Sequence, residues 1–185
     1  MPVRVIGVAA KTRGQPLPAR GSSSAKWSPV PVNARSSKTA VSSASYSGGM
    51  RYETKTALVL HRDLLAWQIA NVAGFLAGGL AGAYPEMAGE PCADATGRLY
   101  TPLVCEPIFI YGAESTELTR THQRAISRNL RFAIYTDALF KTNNDHDNRA
   151  AVAVCATDQL DLVGIGLHAD RKTIDKVVNG LRFLS

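Results

Sequence analysis

Two short stretches gather most of the side chains able to do chemistry. His61, Arg62, Asp63, Trp67, Gln68 and Asn71 fall within eleven residues, and Asp137, Thr142, Asn144 and His146 within ten. Together they offer an imidazole for proton transfer, carboxylates for base or metal duty, and amides to orient a bound molecule. On residue type, Asp137, Thr142 and His146 are the candidate catalytic groups. His61, Asp63, Gln68 and Asn71 are the candidate ligand-binding groups. Each has a plainer reading beside it: Asp63 as a helix cap, Arg62 as a solvated charge, Gln68 and Asn71 as the polar edge of a helix start.

Other chemistries find less support. His146 lies between Asp145 and Asp147, a set of N and O donors that suits a divalent metal by type. Consecutive residues seldom converge on one ion, however, and no HxH or HxxxH spacing accompanies them, so a solvated loop is expected there and no metal or other cofactor. Gly164-Ile165-Gly166 does not extend to GxGxxG, and the GxSxG serine elbow does not occur after residue 50. Cys92, Cys105 and Cys155 are odd in number and show no CxxC spacing. A disulfide framework is not expected. The three thiols read as small buried residues of a protein kept in the reducing cytoplasm.

The elements that must position these groups can be read from apolar patterning. Thr56-Ala57-Leu58-Val59-Leu60 is a strand-like run that ends at His61-Arg62-Asp63. Leu64 to Tyr84 carries no charge, with Leu65, Ile69, Val72, Leu76 and Leu80 at helical spacing and Asp63 placed to cap it. Gly74, Gly78 and Gly82 make a GxxxG series, which raises a membrane span. Gln68, Asn71 and the six Ala and four Gly make insertion costly, and a strand directly before the helix fits a βα unit better. The small stripe Ala70, Ala73, Gly74, Ala77 and Gly78 is expected to bring the helix close to a sheet.

Pro85 stops that helix, and an irregular excursion follows. Leu103–Tyr111 reads as a strand that Pro107 confines to an edge or a bulge. Ser115-Thr-Glu-Leu predicts a helix start, continuing to Arg128. Arg131–Tyr135 and Leu162–His168 are further strands, the second interrupted by Gly164 and Gly166. Asp170 caps a helix to about Asn179, Gly180 occupies a helix C′ position, and Leu181–Leu184 alternates as a last strand. This order predicts an α/β domain of three layers, α/β/α, around a small mixed sheet. In such sheets ligands sit beyond the carboxyl ends of parallel strands, where the 61–71 and 137–146 stretches would both gather.

The chain has 185 residues and a net charge of +6. Residues 1–50 hold seven of the 21 basic residues and no acid, which leaves 14 basic against 15 acidic residues beyond them, a net of −1. The same fifty residues hold ten Ser and five of the nine Pro. Residues 1–50 are expected to be a disordered basic extension, with an upstream translation start before Met50 as its plainest origin, and residues 51–185 a single α/β domain. A nearly neutral domain is not expected to wrap a nucleic acid.

Val163-Gly164-Ile165-Gly166, then Thr173-Ile174-Asp175-Lys176-Val177 and Gly180-Leu181-Arg182-Phe183-Leu184, resemble the closing signature of type-II peptidyl-tRNA hydrolases. The Leu58–Asp63 strand with its Ala/Gly-rich helix is similar to theirs as well. Across residues 54–185, Tyr84-Pro85-Glu86, Asn129 to Thr142 and His146-Asp147-Asn148-Arg149-Ala150-Ala151 resemble an uncharacterised, mostly bacterial domain-of-unknown-function family with that hydrolase-like fold. The resemblance implies a small mixed sheet between helices. It does not bring the hydrolase site with it: the family's lysine in the first helix matches Gln68, and its glutamine and histidine match Val72 and Phe75. An aspartate-alanine-glycine segment with a nearby threonine is echoed only by Asp137-Ala138 and Thr142. The leading expectation is therefore a cytoplasmic domain that binds or turns over a small ligand at the first-helix and Asp137–Arg149 surface. An active peptidyl-tRNA hydrolase and a non-catalytic module that pairs into homo-oligomers are the alternatives, the latter through the glycine-lined helix and the Leu103–Tyr111 edge.

Overall fold

The computed structural model describes residues 52–185, so the expectations for the extension lie outside the described residues. Along the chain run β1 (Thr54–His61), α1 (Ala66–Ala83), β2 (Cys92–Ala93), β3 (Leu99–Tyr100), β4 (Ile108–Ala113), α2 (Ser115–Ile126) and β5 (Phe132–Thr136). After them come α3 (Asp145–Ala153), β6 (Leu162–Asp170), α4 (Arg171–Val177) and β7 (Arg182–Phe183). Five strands form one mixed sheet in the order β5-β6-β1-β4-β7, and β2 and β3 form a separate hairpin. β1 is parallel to β4 and antiparallel to β6, while β5 is antiparallel to β6. The strands β1, β4 and β5 therefore all end at the same edge of the sheet.

Two apolar layers flank the sheet, as the patterning of β1 requires. Leu58 and Leu60 point to one face and pack with Val72, Leu76 and Leu80 of α1. Ala57 and Val59 point to the other and pack with Leu118 and Ala125 of α2 and Ile174 and Val177 of α4. A strand covered on both faces must be apolar throughout, which is why β1 reads as a run without alternation.

The close approach of α1 to the sheet comes from the strand and not from the helix. A Cβ at Gly164 would lie 2.6 Å from Val72 Cγ1 and 3.0 Å from Leu76 Cδ1, and one at Gly166 would lie 3.2 Å from Leu76 Cβ. The two glycines do not interrupt β6; they are the seats for the large side chains of α1. Gly74, Gly78 and Gly82 face open space instead, since a Cβ at any of them would meet nothing within 4 Å. The expected sheet-facing small stripe thus lies on the outer face.

Several local expectations are corrected. Leu65, not Asp63, is the N-cap of α1, and the Gln68 side chain accepts the Leu65 backbone N–H at 2.9 Å. β4 begins after Pro107 and is not an edge, because β7 pairs with it at Tyr111 and Gly112. Glu114 is the N-cap of α2, with Ser115 its first residue. The Asp145–Asn148 run is the first turn of α3 and not a loop, with Asn144 as N-cap accepting the Asp147 N–H at 2.9 Å. All three cysteines are exposed. The last helix keeps its expected cap, Asp170 Oδ1 accepting the Thr173 N–H at 2.9 Å, and Gly180 takes a positive φ of 89° that a side chain would resist. Among the described residues no helix is long and apolar enough to cross a membrane.

Candidate functional site

β1 and β4 are parallel neighbours whose following helices leave to opposite faces, α1 to one and α2 to the other. Such a divergence opens a crevice beyond the strand ends, the usual ligand position in open α/β sheets. His61, Arg62 and Asp63 enter it after β1, and Glu114, Ser115 and Glu117 after β4. The Asp63 backbone N–H donates to His61 Nδ1 at 3.3 Å, so the neutral ring carries its proton on Nε2, 3.1 Å from Ser115 Oγ. Arg62 reaches Glu114 at 3.0 Å and Glu117 at 3.4 Å. The donor atoms of His61, Asp63 and Glu114 lie within 4.8 Å of one another, a set that by type could hold a divalent cation. Glu114 is already neutralised by Arg62, and the His61 nitrogen nearest Ser115 holds a proton, so the arrangement favours internal pairing.

A second site lies on the α1 side of the same edge. A cavity of about 450 Å³ is lined by Trp67, Asn71 and Phe75 of α1, Tyr135 at the end of β5, and Leu139, Phe140, Thr142, Asn143, Asn144, Asp145 and Asn148 beyond it. Its aromatic walls brace one another: Trp67 meets Phe140 edge to face at 5.7 Å, Phe75 meets Tyr135 at 5.7 Å, and Tyr135 meets Phe140 at 5.1 Å. The Tyr135 hydroxyl donates to Asn71 Oδ1 at 3.1 Å, and burial pushes the Tyr135 phenol pKa up, which keeps that proton in place. Thr142 Oγ1 donates to the Leu139 carbonyl at 2.8 Å and also contacts Asn148 Oδ1. Among the described residues no Lys, Arg or His lines the cavity, and its one acid, Asp145, is paired with Arg149.

The residues singled out from the sequence separate into three groups. Asn71 and Thr142 meet in the cavity. His61 and Asp63 meet in the crevice. Gln68, Asp137 and His146 join neither: Gln68 caps α1, Asp137 pairs with Lys141 at 3.5 Å on the surface, and His146 sits exposed beside Asp147 at 3.2 Å. The bond from His146, with a second from Asn144, holds the Asp147 carboxyl below its ordinary pKa. Phe75, Tyr135, Phe140 and Asn148 were not among the candidates. Phe75 carried a signal, since a large aromatic next to Leu76 falls off the Val72/Leu76/Leu80 stripe and must face outward.

A third polar cluster is buried near the opposite edge. Thr56 Oγ1 donates to Glu106 Oε1 at 2.5 Å and lies 2.8 Å from His168 Nδ1, Thr54 donates to the other Glu106 oxygen at 2.8 Å, and the Tyr84 ring packs on His168 at 4.8 Å. These polar side chains answer one another, so the cluster ties the 85–107 excursion to β1 and β6. It presents no opening to a ligand.

Residues 54–185 match the profile of a family described as protein of unknown function (DUF2000). A solved structure of a protein of unknown function from Agrobacterium tumefaciens is 34% identical in sequence, with a TM-score of 0.71, covering 73% of this chain and 100% of that one. No curated protein matches the chain.

Proposed function

The chain belongs to the DUF2000 family of proteins of unknown function, and from that premise we propose that its domain binds a small neutral molecule in the cavity between α1 and residues 137–148. The observation that carries this reading is the lining itself: four aromatic rings with five amide or hydroxyl side chains, Asn71, Thr142, Asn143, Asn144 and Asn148, around about 450 Å³. Apolar walls with a few convergent polar groups, at this size, are what small-molecule sites share. The position beyond the end of β5, at the edge where β1 and β4 also end, supports it further. Exposed, unpaired thiols fit the reducing cytoplasm as its setting.

The type-II peptidyl-tRNA hydrolase-like fold is retained as part of the proposal, supported by a mixed sheet with helices on both faces. Hydrolysis of peptidyl-tRNA is the weaker reading. The position matching the family's lysine is Gln68, whose carbonyl is committed to the Leu65 amide, and among the described residues no cation lines the cavity to hold an RNA end.

The test uses the full chain with Trp27 replaced by Phe, so that Trp67 is its sole tryptophan. Neutral aromatic fragments are screened by thermal shift and by Trp67 emission. Binders are expected to shift the emission and to lose affinity tenfold or more in Phe140→Ala, as loss of one stacking wall implies. A screen in which no binder perturbs Trp67 overturns the proposal.

One observation favours a second reading, self-association through α1. Its outer face exposes Leu65 and Trp67 at 60% and Phe75 at 56%, the glycines beside them are open, and no charge interrupts it. A second copy of the same uncharged helix is the partner such a face fits, since glycines at every fourth position let two axes approach. A single monomeric species in sedimentation velocity up to high micromolar concentration would exclude it.

A further inference from the structure

Resting on the cavity as the ligand site, we propose that its ligand is a planar neutral heterocycle carrying a lactam edge, an N–H and a C=O side by side in the ring, read by the carboxamide of Asn71. Three features of the cavity narrow the class in turn.

Charge comes first. With no Lys, Arg or His in the lining among the described residues, a phosphate or carboxylate would be desolvated without compensation. The single acid already has Arg149 as partner, so a cation finds no free countercharge. The ligand is therefore neutral.

Shape comes second. Trp67, Phe75, Tyr135 and Phe140 touch one another edge to face or tilted at 5.1 to 5.7 Å, which makes the cavity walls aromatic on several sides. Aromatic walls favour flat rings, which can stack on them.

Hydrogen-bonding capacity comes third and decides the edge. Asn144 caps α3 and its amide bonds Asn143 and Asp147, at 2.9 and 2.7 Å. The Thr142 hydroxyl meets Asn148 Oδ1 and Asn143 Oδ1 accepts from Asn144, which leaves the Nδ2 groups of Asn143 and Asn148 without a protein partner among the described residues. Asn71 likewise keeps Nδ2 without a protein partner among the described residues, and it is set apart by its aromatic anchor: the Tyr135 hydroxyl takes one lone pair of Oδ1 and fixes the amide plane against the ring wall. An oriented carboxamide with a free N–H and a remaining lone pair is the complement of a lactam, joined by two parallel N–H···O bonds. The same bidentate geometry lets Asn and Gln read base edges. Tyr135 acts here as a positioning residue, through Asn71.

The probes are isoquinolin-1-one, which has the lactam N–H, and its 2-methyl derivative, which has the same ring without it. Both are titrated into the full-length Trp27→Phe protein by Trp67 emission and calorimetry. The parent is expected to bind at least tenfold more tightly than the methyl derivative. Asn71→Leu should abolish that ratio, and Tyr135→Phe should reduce it while leaving affinity for the methyl derivative within about twofold, a split that a merely structural role for Tyr135 would not produce. Equal binding of the two compounds by the unsubstituted cavity, or an unchanged ratio in Asn71→Leu, overturns the lactam assignment and leaves the cavity as a ligand site. If neither compound nor any other flat neutral ring perturbs Trp67, the site itself fails and the assignment with it.

Discussion

The crevice beside His61 and the cavity beside Asn71 share one edge of one sheet and flank the start of the same helix, yet their polar groups are in different states. In the crevice Arg62 answers Glu114 and Glu117, His61 answers Ser115, and the Asp63 amide answers His61, while the Asp63 carboxylate is exposed to solvent. In the cavity the aromatic walls are bare and the Asn71 amide retains a donor with nothing among the described residues to receive it. The crevice holds the residue types usually associated with catalysis, and the cavity holds almost none of them. Residue type alone therefore locates polarity, whereas a ligand is bound where hydrogen-bonding capacity and apolar area are left over after folding.

The comparison can be broken most forcefully from the back of α1. The cavity wall made by Trp67, Asn71 and Phe75 stands where it does because Gly164 and Gly166 let Val72 and Leu76 reach the sheet. Gly164→Ala puts a Cβ 2.6 Å from Val72 Cγ1, so the Val72 side chain, the helix or the strand must shift. Overpacking of this kind costs about 1–3 kcal/mol. Urea denaturation should show the midpoint falling accordingly, together with weaker binding of flat neutral ligands, while the pairing of Arg62 with Glu114 on the far side of the helix start is kept. An unchanged midpoint would mean that α1 is not seated on these glycines, and the account of what positions the cavity would fall.

The same glycines explain what the sequence could and could not disclose. The β1 run, the α2 span, and the β6-α4-β7 ending with its Asp170 cap and Gly180 were legible, because each depends on neighbours a few residues apart. For α1 the helix was legible and its orientation was not. It carries two stripes, one of Val72, Leu76 and Leu80 and one of small residues, and which one meets the sheet depends on the side chains of a strand some ninety residues later. Small residues on β6 seat the large stripe, so the small stripe is turned outward and takes Phe75 and Asn71 with it. The mixed outcome for the candidate residues follows. Asn71 and Thr142 come together, since one lies on that outer stripe and the other beyond β5. Gln68, one turn earlier, turns back to the Leu65 amide, and His146 points away on the first turn of α3, a helix hidden by its polar composition. Pro107 misled for a similar reason: it precedes β4, and β7 arrives from the end of the chain to cover the strand read as an edge.

The smallest expected effect sharpens the comparison from the crevice side. Arg62 and Glu114 lie 3.0 Å apart with side chains 44% and 53% exposed, so water and salt screen most of their attraction. A double-mutant cycle with Arg62→Ala and Glu114→Ala, read by urea denaturation, should give a coupling below about 1 kcal/mol that shrinks as salt is raised. Such a value fits a crevice whose charges answer one another in solvent and hold nothing else. A coupling well above that range, insensitive to salt, would mean that these charges are shielded from water as the groups of a working site are. The contrast between the two ends of the α1 start would then reverse, with the crevice and not the aromatic cavity as the place to look for chemistry.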